Sequence, residues 1–285
     1  MFLAVSSAGY AQSGHQVSGV VEDSSGEPIM GASVLVVDDN TAMRKFIRSV
    51  LESRYAVVEA SNGREALDLL VHNAVDFIIT DLMMPVMDGH ELSRRLKNDI
   101  STSHIPVLIL TAKASVQTRT ESYRIGVDEY LSKPFDEDML IARVANILDN
   151  KRRYQSRFMA DMDVESLNVV DDSLDRRFLD RLMAVVKDNY KNSEFEVADV
   201  EEALGVGRNI LNQKLQSIVG QSAWQFIRTY RLNVAHDMII KNRRSRTLNI
   251  SEIAYEVGFS DPKYFSKSFS KHFGMSPRSF LNEEK

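Results

Sequence analysis

The sequence contains no cysteine, and only one tryptophan and six prolines occur among its 285 residues. The lack of cysteine excludes disulfide bridges and thiolate metal sites, and it fits a protein of the reducing cytoplasm. Uninterrupted apolar runs are only a few residues long, far below the roughly 18 residues that a membrane-spanning helix needs. We therefore expect no membrane contact, and the length predicts about two domains.

The two signs of charge are unevenly distributed. Residues 33–150 carry 18 acidic and 13 basic side chains, whereas residues 193–285 carry 11 acidic and 13 basic ones. An acidic half suits a bound cation and a basic end suits a polyanion. The excess at the basic end is small, so ordinary scatter explains it equally well.

Short apolar strands alternate with amphipathic helices between Ser33 and about Asn150. The predicted strands are Val34–Val37, Tyr55–Ala60, Phe77–Thr80, Val107–Leu110 and Glu129–Leu131. The predicted helices are Thr41–Ser53, Gly63–Asn73, Gly89–Asn98, about Ser115–Ile125 and Glu137–Leu148. This alternation predicts an α/β, doubly wound, five-stranded parallel sheet, whose ligands bind at the carboxyl ends of the strands.

A polar stretch without clear periodicity, residues 151–172, is interpreted as a linker. The region that follows, residues 173–285, is predicted to be an all-α domain. Ser173 is a helix cap at its start. Two further helix starts are signalled by capping pairs, Ser222 with Gln225 and Asn249 with Glu252.

The first 32 residues fit neither predicted domain. Their apolar start, Met1–Val5, is too short for an export signal and lacks a cationic region. The following VSGVVEDSSGEPIMGASV resembles the first strands of the carboxypeptidase-regulatory-like domain at the start of TonB-dependent outer-membrane transporters. We interpret residues 1–32 as a β-rich fragment joined at a junction and not as an independent domain.

Polar residues gather at the ends of the predicted strands. Asp81 ends FIITD, Asp38 and Asp39 follow VLVV, Thr111 follows PVLIL, and Lys133 lies in YLSKPF. Carboxylates suit a hard cation such as Mg²⁺, and an aspartate can act as a nucleophile toward phosphorus. Lys133 and Thr111 can neutralise charge on the transferred oxygens. The set predicts a phosphoryl-transfer site.

Residues 33–150 resemble the receiver domain of bacterial response regulators, which is flavodoxin-like. The motifs VVDDN, FIITDLMMPVMDG, ILTA and YLSKPF occur in the family's order and spacing. The resemblance implies that Asp81 is the phosphoacceptor and that Lys133–Pro134 is a cis bond. It further implies a Mg²⁺ site of Asp38, Asp39, Asp81 and the Met83 carbonyl, phosphoryl contacts from Thr111 and Lys133, and a switch aromatic at Tyr130.

Two helix-glycine-helix patterns lie in the predicted helical domain, at Val197–Ile218 and Ile250–Gly274. Such a pattern is a helix-turn-helix candidate, although on its own it is more often plain packing. A helix from Ser222 to about Lys241 connects them and would span roughly 30 Å, close to the roughly 34 Å of one DNA turn. The two units could therefore enter successive major grooves.

The segment IAYEVGFSDPKYFSKSFSKHFGMSP resembles the signature of the AraC family, and the resemblance covers about residues 174–285. It implies base contacts from Asn209, Asn212 and Gln213 in the first unit and from Lys263, Ser266 and Lys267 in the second. Lys271 and Arg278 would contact phosphates. Gly207 departs from the family's serine cap, and the basic loop Lys241–Arg246 is either a phosphate contact or a solvated loop.

These features predict a cytoplasmic two-component response regulator and not an independent enzyme. A sensor histidine kinase would phosphorylate Asp81 with Mg²⁺ as cofactor, and this would control sequence-specific binding to double-stranded DNA and transcription. We expect a homodimer in the phosphorylated state, and RNA polymerase is a candidate partner. The arrangement also resembles the carboxyl-terminal part of hybrid two-component sensors, so the chain is either a standalone regulator or such a fragment.

Two other functions are compatible with the sequence. One is a DNA-binding regulator that does not depend on phosphorylation and uses its receiver as an interaction module. The other is an exported interaction protein directed by the amino-terminal segment. The complete set of strand-end residues argues against the first, and the deficient signal argues against the second.

Overall fold

The computed structural model describes residues 32–112, 125–162, 173–245 and 247–282. The predicted amino-terminal fragment, apart from Ala32, lies outside these ranges, so its proposed resemblance is not tested. The predicted helix at about Ser115–Ile125 lies outside them too, apart from its last residue.

Five parallel strands form one sheet in the order β2-β1-β3-β4-β5. They are β1 Ser33–Val37, β2 Ala56–Ala60, β3 Phe77–Asp81, β4 Val107–Thr111 and β5 Glu129–Ser132. Every residue of β3 and β4 is buried, as expected for central strands covered on both faces. The predicted doubly wound sheet is confirmed.

Within the described residues, four helices follow strands of the sheet, and each begins at a side chain that accepts bonds from its first amides. They are α1 Thr41–Leu51, α2 Gly63–Leu70, α3 Gly89–Asn98 and α4 Glu137–Asp161, with caps Asn40, Asn62, Asp88 and Asp136. Such caps satisfy amides that the helix itself leaves unpaired. We call β1 to the first half of α4 the α/β domain.

The predicted helix end at Leu148 and the predicted start of a linker at residue 151 are wrong, because helix α4 continues past both positions. It continues to Asp161 and contains 25 residues, a length of about 37 Å. Its second half is helical because Phe158 is fully buried and stacks on Phe226, with ring centroids 6.0 Å apart. The helix therefore begins in the α/β domain and ends in the helical one; residues 163–172 are not described.

The remaining described chain is entirely helical and confirms the predicted all-α domain. Its helices are α5 Leu174–Asn189, α6 Val197–Leu204, α7 Arg208–Val219, α8 Ala223–Ser245, α9 Ile250–Glu256, α10 Pro262–Phe273 and α11 Pro277–Asn282. The predicted caps are present: Ser173 accepts from Arg176 N, and Asn249 forms a capping box with Glu252. We call α6 with α7 the first unit and α9 with α10 the second unit.

The two units have separate hydrophobic cores. The first core joins α5, α6, α7 and the start of α8 to Phe158 of α4, and Ile100 of the α/β domain packs against it. The buried residues of the second core all lie between Leu232 and Leu281. Among the described helices, none is both long enough and apolar enough to cross a bilayer.

Candidate functional site

One lysine bridges two carboxylates at the carboxyl edge of the sheet. Lys133 Nζ lies 2.6 Å from Asp81 Oδ1 and 3.0 Å from Asp38 Oδ2. Asp38 follows β1 and Asp81 ends β3, and these strands are neighbours. Lys133 follows β5 and reaches across β4 to meet them. Parallel strands thus bring together residues that are distant in sequence.

Backbone amides fix the other oxygens of the two carboxylates. Asp38 Oδ1 accepts from Asn40 N at 2.8 Å, and Asp81 Oδ2 accepts from Met83 N at 3.1 Å. Arg44 Nη1 donates to the backbone carbonyl of Asp38 at 2.7 Å. Bonds to ionised oxygens are about twice as strong as neutral ones, so both carboxylates are held in defined orientations.

The positive charge of Lys133 is stabilised by Asp81 and Asp38. Burial is the largest single influence and would lower the pKa of the ammonium, but the hydrogen bonds and charges of Asp81 and Asp38 together outweigh it. The net result is a raised pKa. Lys133 is therefore a cation throughout the neutral range and neutralises part of the negative charge at this edge.

Thr111 and Tyr130 lie on the strands beside this pair. Thr111 ends β4, is almost fully buried, and its carbonyl accepts from Lys133 N at 2.8 Å. Tyr130 is buried in β5, with its hydroxyl 3.5 Å from His90 Nε2 in α3. The bond between Lys133 and Pro134 is cis. Thr111 and Lys133 thus lie with Asp81 at the carboxyl edge of the sheet.

The predicted Mg²⁺ ligands are only partly assembled around a common point. Within the described ranges, no group of three or more His, Asp or Glu side chains has the arrangement of a metal site. Asp39 is exposed, whereas Asp38 and Asp81 are buried and share Lys133. Because Mg²⁺ uses one or two carboxylates and keeps several waters, Asp38 and Asp81 still suit it chemically.

Helix α3 begins in direct contact with the backbone of Asp81. A Cβ atom added to Gly89 would lie only 2.3 Å from the Asp81 carbonyl oxygen. Gly89 N also donates to the Leu82 carbonyl at 3.0 Å. Only glycine permits this approach, so the amino end of α3 is fixed against the candidate site.

In the first unit, the polar residues proposed to read bases lie in different environments. Asn209 and Gln213 are exposed on α7. Asn212 is half-buried, and its side-chain oxygen accepts from Ala223 N at 2.9 Å, so it braces the start of α8. Gly207 provides no side-chain cap for α7, as its sequence position indicated.

In the second unit, the predicted lysines are accessible. Lys263 and Lys267 are exposed on α10. Ser266 is half-buried, and its hydroxyl donates to the Pro262 carbonyl at 2.9 Å. Asp261 caps the helix by accepting from Lys263 N. The predicted phosphate contacts, Lys271 and Arg278, are also exposed.

Comparison with protein-family models supports the assignment of both the α/β domain and the helical domain. Residues 34–145 match the response regulator receiver domain, and residues 200–283 match a helix-turn-helix domain. The chain carries a receiver domain and an AraC-type helix-turn-helix domain.

Several known proteins are similar to parts of the chain. Histidine kinase P4 of Formosa agariphila is 37% identical over 251 residues, which cover 88% of this chain and 18% of that protein. The phosphate regulon transcriptional regulatory protein PhoB of Pseudomonas aeruginosa is 37% identical over 121 residues, covering 42% of this chain and 53% of that protein. The chain therefore spans less than a fifth of the first relative and about half of the second.

One solved structure is a receiver domain from Francisella. The receiver domain of response regulator 1452 is 38% identical, covers 42% of this chain and 98% of its own, and superposes with a TM-score of 0.39.

The junction between receiver and DNA-binding domain contains a residue that the sequence interpretation missed. Lys214 lies on α7 between the apolar residues Leu211 and Ile218, and its side chain is fully buried. A lysine on the apolar stripe of an amphipathic helix was the available signal, since such a residue is rarely buried unless it is paired.

Proposed function

We propose that this chain is a response regulator in which phosphorylation of Asp81 by a sensor histidine kinase controls DNA binding. The observation that carries the proposal is the bridge from Lys133 to Asp81 and Asp38 at the carboxyl edge of the receiver sheet. The attached helix-turn-helix domain supplies the output.

In the chemical step, a carboxylate oxygen of Asp81 attacks the phosphorus of a phosphohistidine. A new O–P bond forms, the P–N bond to the histidine breaks, and the nitrogen keeps the electron pair. Lys133 Nζ, already 2.6 Å from Asp81 Oδ1, neutralises charge on the transferred oxygens. Thr111, at the end of the adjacent strand, would donate its hydroxyl to the same group.

Electrostatics explain the need for a metal cofactor. Asp38, Asp39 and Asp81 bring three negative charges to this edge, and Lys133 offsets one of them. Mg²⁺, held by Asp38, Asp81 and the Met83 carbonyl with Asp39 nearby, would neutralise the approaching phosphoryl group. Lys133 and the metal would then share the neutralisation of charge at this edge.

The output surface that we propose is the exposed polar face of the two recognition helices. Asn209 and Gln213 of α7 and Lys263 and Lys267 of α10 are accessible, and these residue types suit adenine and guanine edges. Asn212 and Ser266 stay in the proposed set, although each already has a bond within the protein. We further propose that the phosphorylated chain dimerises on DNA.

The test of the switch compares the unmodified chain with Asp81→Asn. With Mg²⁺ and acetyl phosphate, we expect the unmodified chain to gain one phosphoryl group by intact mass and to change its affinity for promoter DNA by about 5- to 150-fold, the range typical of coupled sites. Asp81→Asn should do neither, because its amide is not a nucleophile.

The matched control is Asp88→Asn, which removes a carboxylate from the same loop but keeps a residue that caps α3 well. It should still be phosphorylated and should still respond. A chain that gains the phosphoryl group without any change in DNA affinity or oligomeric state would support the phosphorylation-independent regulator instead.

Base contacts and phosphate contacts to DNA can be distinguished by how binding depends on sequence and on salt. We expect Lys267→Ala to weaken binding by about 1–3 kcal/mol and to relax preference at one base pair. Lys271→Ala should weaken binding to all sequences alike and reduce the salt slope by about one unit. The measurement is fluorescence anisotropy with a set of single-base operator variants at several salt concentrations. Equal losses on every sequence for Lys267→Ala would reassign this residue to phosphate contact.

A further inference from the structure

A closed polar cluster joins the receiver domain to the first recognition helix. Lys214 Nζ on α7 lies 2.6 Å from Asp175 Oδ1, 2.8 Å from Ser103 Oγ and 3.0 Å from the Ile100 carbonyl oxygen. An ammonium has three hydrogens to donate, so each has an acceptor. Ser103 Oγ also donates to Asp175 at 2.6 Å. We call these four groups the Lys214 clamp.

The Lys214 clamp is chemically unusual for a packing contact. Lys214 is fully buried, and the ring of Phe178 lies 5.4 Å from its ammonium. Burial alone would raise the pKa of the Asp175 carboxyl, but the Lys214 ammonium and the Ser103 hydroxyl lower it overall. Because an apolar residue often stabilises a fold as well as a buried ion pair does, stability alone does not account for a lysine at position 214. A role in positioning α7 does account for it.

Two of the four clamp groups belong to the receiver and are rigidly attached to α3. They lie in the segment 99–105, where Ser103 N donates to the Asp99 carbonyl at 2.8 Å and Thr102 Oγ1 donates to the Leu96 carbonyl at 2.9 Å. Lys97 adds a bond to the Ile105 carbonyl at 3.0 Å. A displacement of α3 therefore carries the clamp acceptors with it.

The opposite end of α3 touches the phosphorylation site. Gly89 packs against the Asp81 carbonyl so closely that no side chain fits between them. Helix α3 has 10 residues, a length of about 15 Å. One short rigid element thus connects the backbone of Asp81 to the acceptors of Lys214.

In the helical domain, the Lys214 clamp contacts the buried face of the first recognition helix, α7. Lys214 adjoins the exposed Gln213 on α7, so the clamp leaves the base-reading face free. Helix α4 holds the carboxyl end of α7 separately, through Lys151 Nζ to Ser217 Oγ at 2.5 Å and Gln155 Nε2 to the Ser217 carbonyl at 2.7 Å. The orientation of α7 is consequently set at one point by the receiver segment 99–105 and at another by the second half of α4.

We propose that Lys214 is the positioning residue through which the receiver controls the first recognition helix, with α3 and the segment 99–105 as the connecting element. The inference rests on the proposed function, since it assigns the route by which a phosphoryl group on Asp81 changes DNA binding. Lys214 touches neither the phosphoryl group nor DNA; it acts by fixing the orientation of α7.

The decisive variant is Lys214→Met, which keeps the length of the side chain and removes its charge. We expect Asp81 to accept a phosphoryl group from acetyl phosphate at the unmodified rate, while the ratio of DNA affinities with and without phosphorylation falls to within about twofold of one, far below typical coupling. Lys191→Met, the same change at an exposed position, should keep the full ratio. A full ratio in Lys214→Met would overturn the proposal.

Two further measurements keep the result interpretable. The pair Lys214→Met with Asp175→Asn removes both charges, so that no charge remains buried alone, and it should be folded and uncoupled. In the unmodified chain, phosphorylation should change amide hydrogen exchange in segment 99–105 and in α7 together. A change in α7 without one in segment 99–105 would contradict the assigned route.

The proposed switch and the clamp fail in different ways. If the unmodified chain takes up the phosphoryl group and its DNA affinity does not change, the proposed function fails. Even then, Lys214→Met should raise amide exchange in segment 99–105 and α7 together relative to Lys191→Met, because the clamp joins them. Unchanged amide exchange in both segments of Lys214→Met would show that the Lys214 clamp does not join them.

Discussion

The two helix-turn-helix units share a topology but differ in what holds them. The first unit has an uncapped recognition helix at Gly207, and its core includes Phe158 of α4 with Ile100 of the receiver packed against it. The second unit has a capped recognition helix at Asp261 and a core drawn from α8 to α11. The first unit thus packs partly on the receiver, whereas the buried core of the second unit lies between Leu232 and Leu281.

The largest expected effect tests that dependence in the two cores. Phe158→Ala and Phe269→Ala each remove a fully buried ring and should each lower the free energy of unfolding by about 3–5 kcal/mol, measured by urea denaturation. Only Phe158→Ala should also raise amide exchange in the receiver segment 99–105, because its ring belongs to the core on which Ile100 packs. Equal amide exchange in segment 99–105 for both variants would show that the first unit is no more closely packed on the receiver than the second.

An intermediate effect is expected from pH at the receiver junction. Burial, with the charges of Lys151 and Lys214, lowers the pKa of His104 to about 3. Between pH 3 and the ordinary 6.5, the unfolded chain binds a proton that the folded chain does not. Stability is therefore fully present above about pH 6.5 and is lost as pH falls, by roughly 1 kcal/mol or more per pH unit.

The measurement is urea denaturation at pH 7 and pH 5, where carboxylates are still ionised. His104→Gln does not titrate and should lose less stability over this interval than the unmodified chain by about 2 kcal/mol. His236→Gln, on α8, is the control for removing a histidine away from the receiver junction. The same acid sensitivity in His104→Gln would show that other groups are responsible.

The smallest effects concern the two helix caps. Asp261→Ala should cost about 1 kcal/mol of stability, because its carboxylate accepts from Lys263 N. Gly207→Ser should gain only a few tenths of a kcal/mol, since glycine is itself a tolerable cap. Thermal unfolding measures both. A gain at Gly207→Ser as large as the loss at Asp261→Ala would mean that α7 is limited by its cap and not by its receiver contacts.

Local patterns in the sequence predicted most of the receiver and its site. Asp81, Thr111 and Lys133 each end or follow an apolar strand, and parallel strands bring their carboxyl ends to one edge whatever the loop lengths. The expectation that these strand ends lie together therefore needed no contact information beyond the strand pattern. The same reasoning predicted the helix caps at Ser173 and Asn249, because a cap and its amide partner lie within one turn.

What the sequence did not predict depends on contacts between distant segments. The extension of α4 past Leu148 is determined by Phe158 stacking on Phe226, which no local periodicity reveals. The pairing of Lys214 depends on Ser103 and Ile100 of the receiver, which are distant from it in sequence. The polar partner of Asn212 likewise became visible only when α8 was placed beside α7.

The continuous helix α4 has a consequence for how such domains can be exchanged between proteins. Each residue inserted into an α-helix turns everything beyond it by about 100° and advances it by about 1.5 Å. A junction placed within Glu137–Asp161 must therefore preserve helical phase, or Lys214 will no longer face Ser103 and Ile100 of the receiver. Chimaeras that respect this phase keep receiver and output domain in register, and those that add two residues present the output domain from the opposite side.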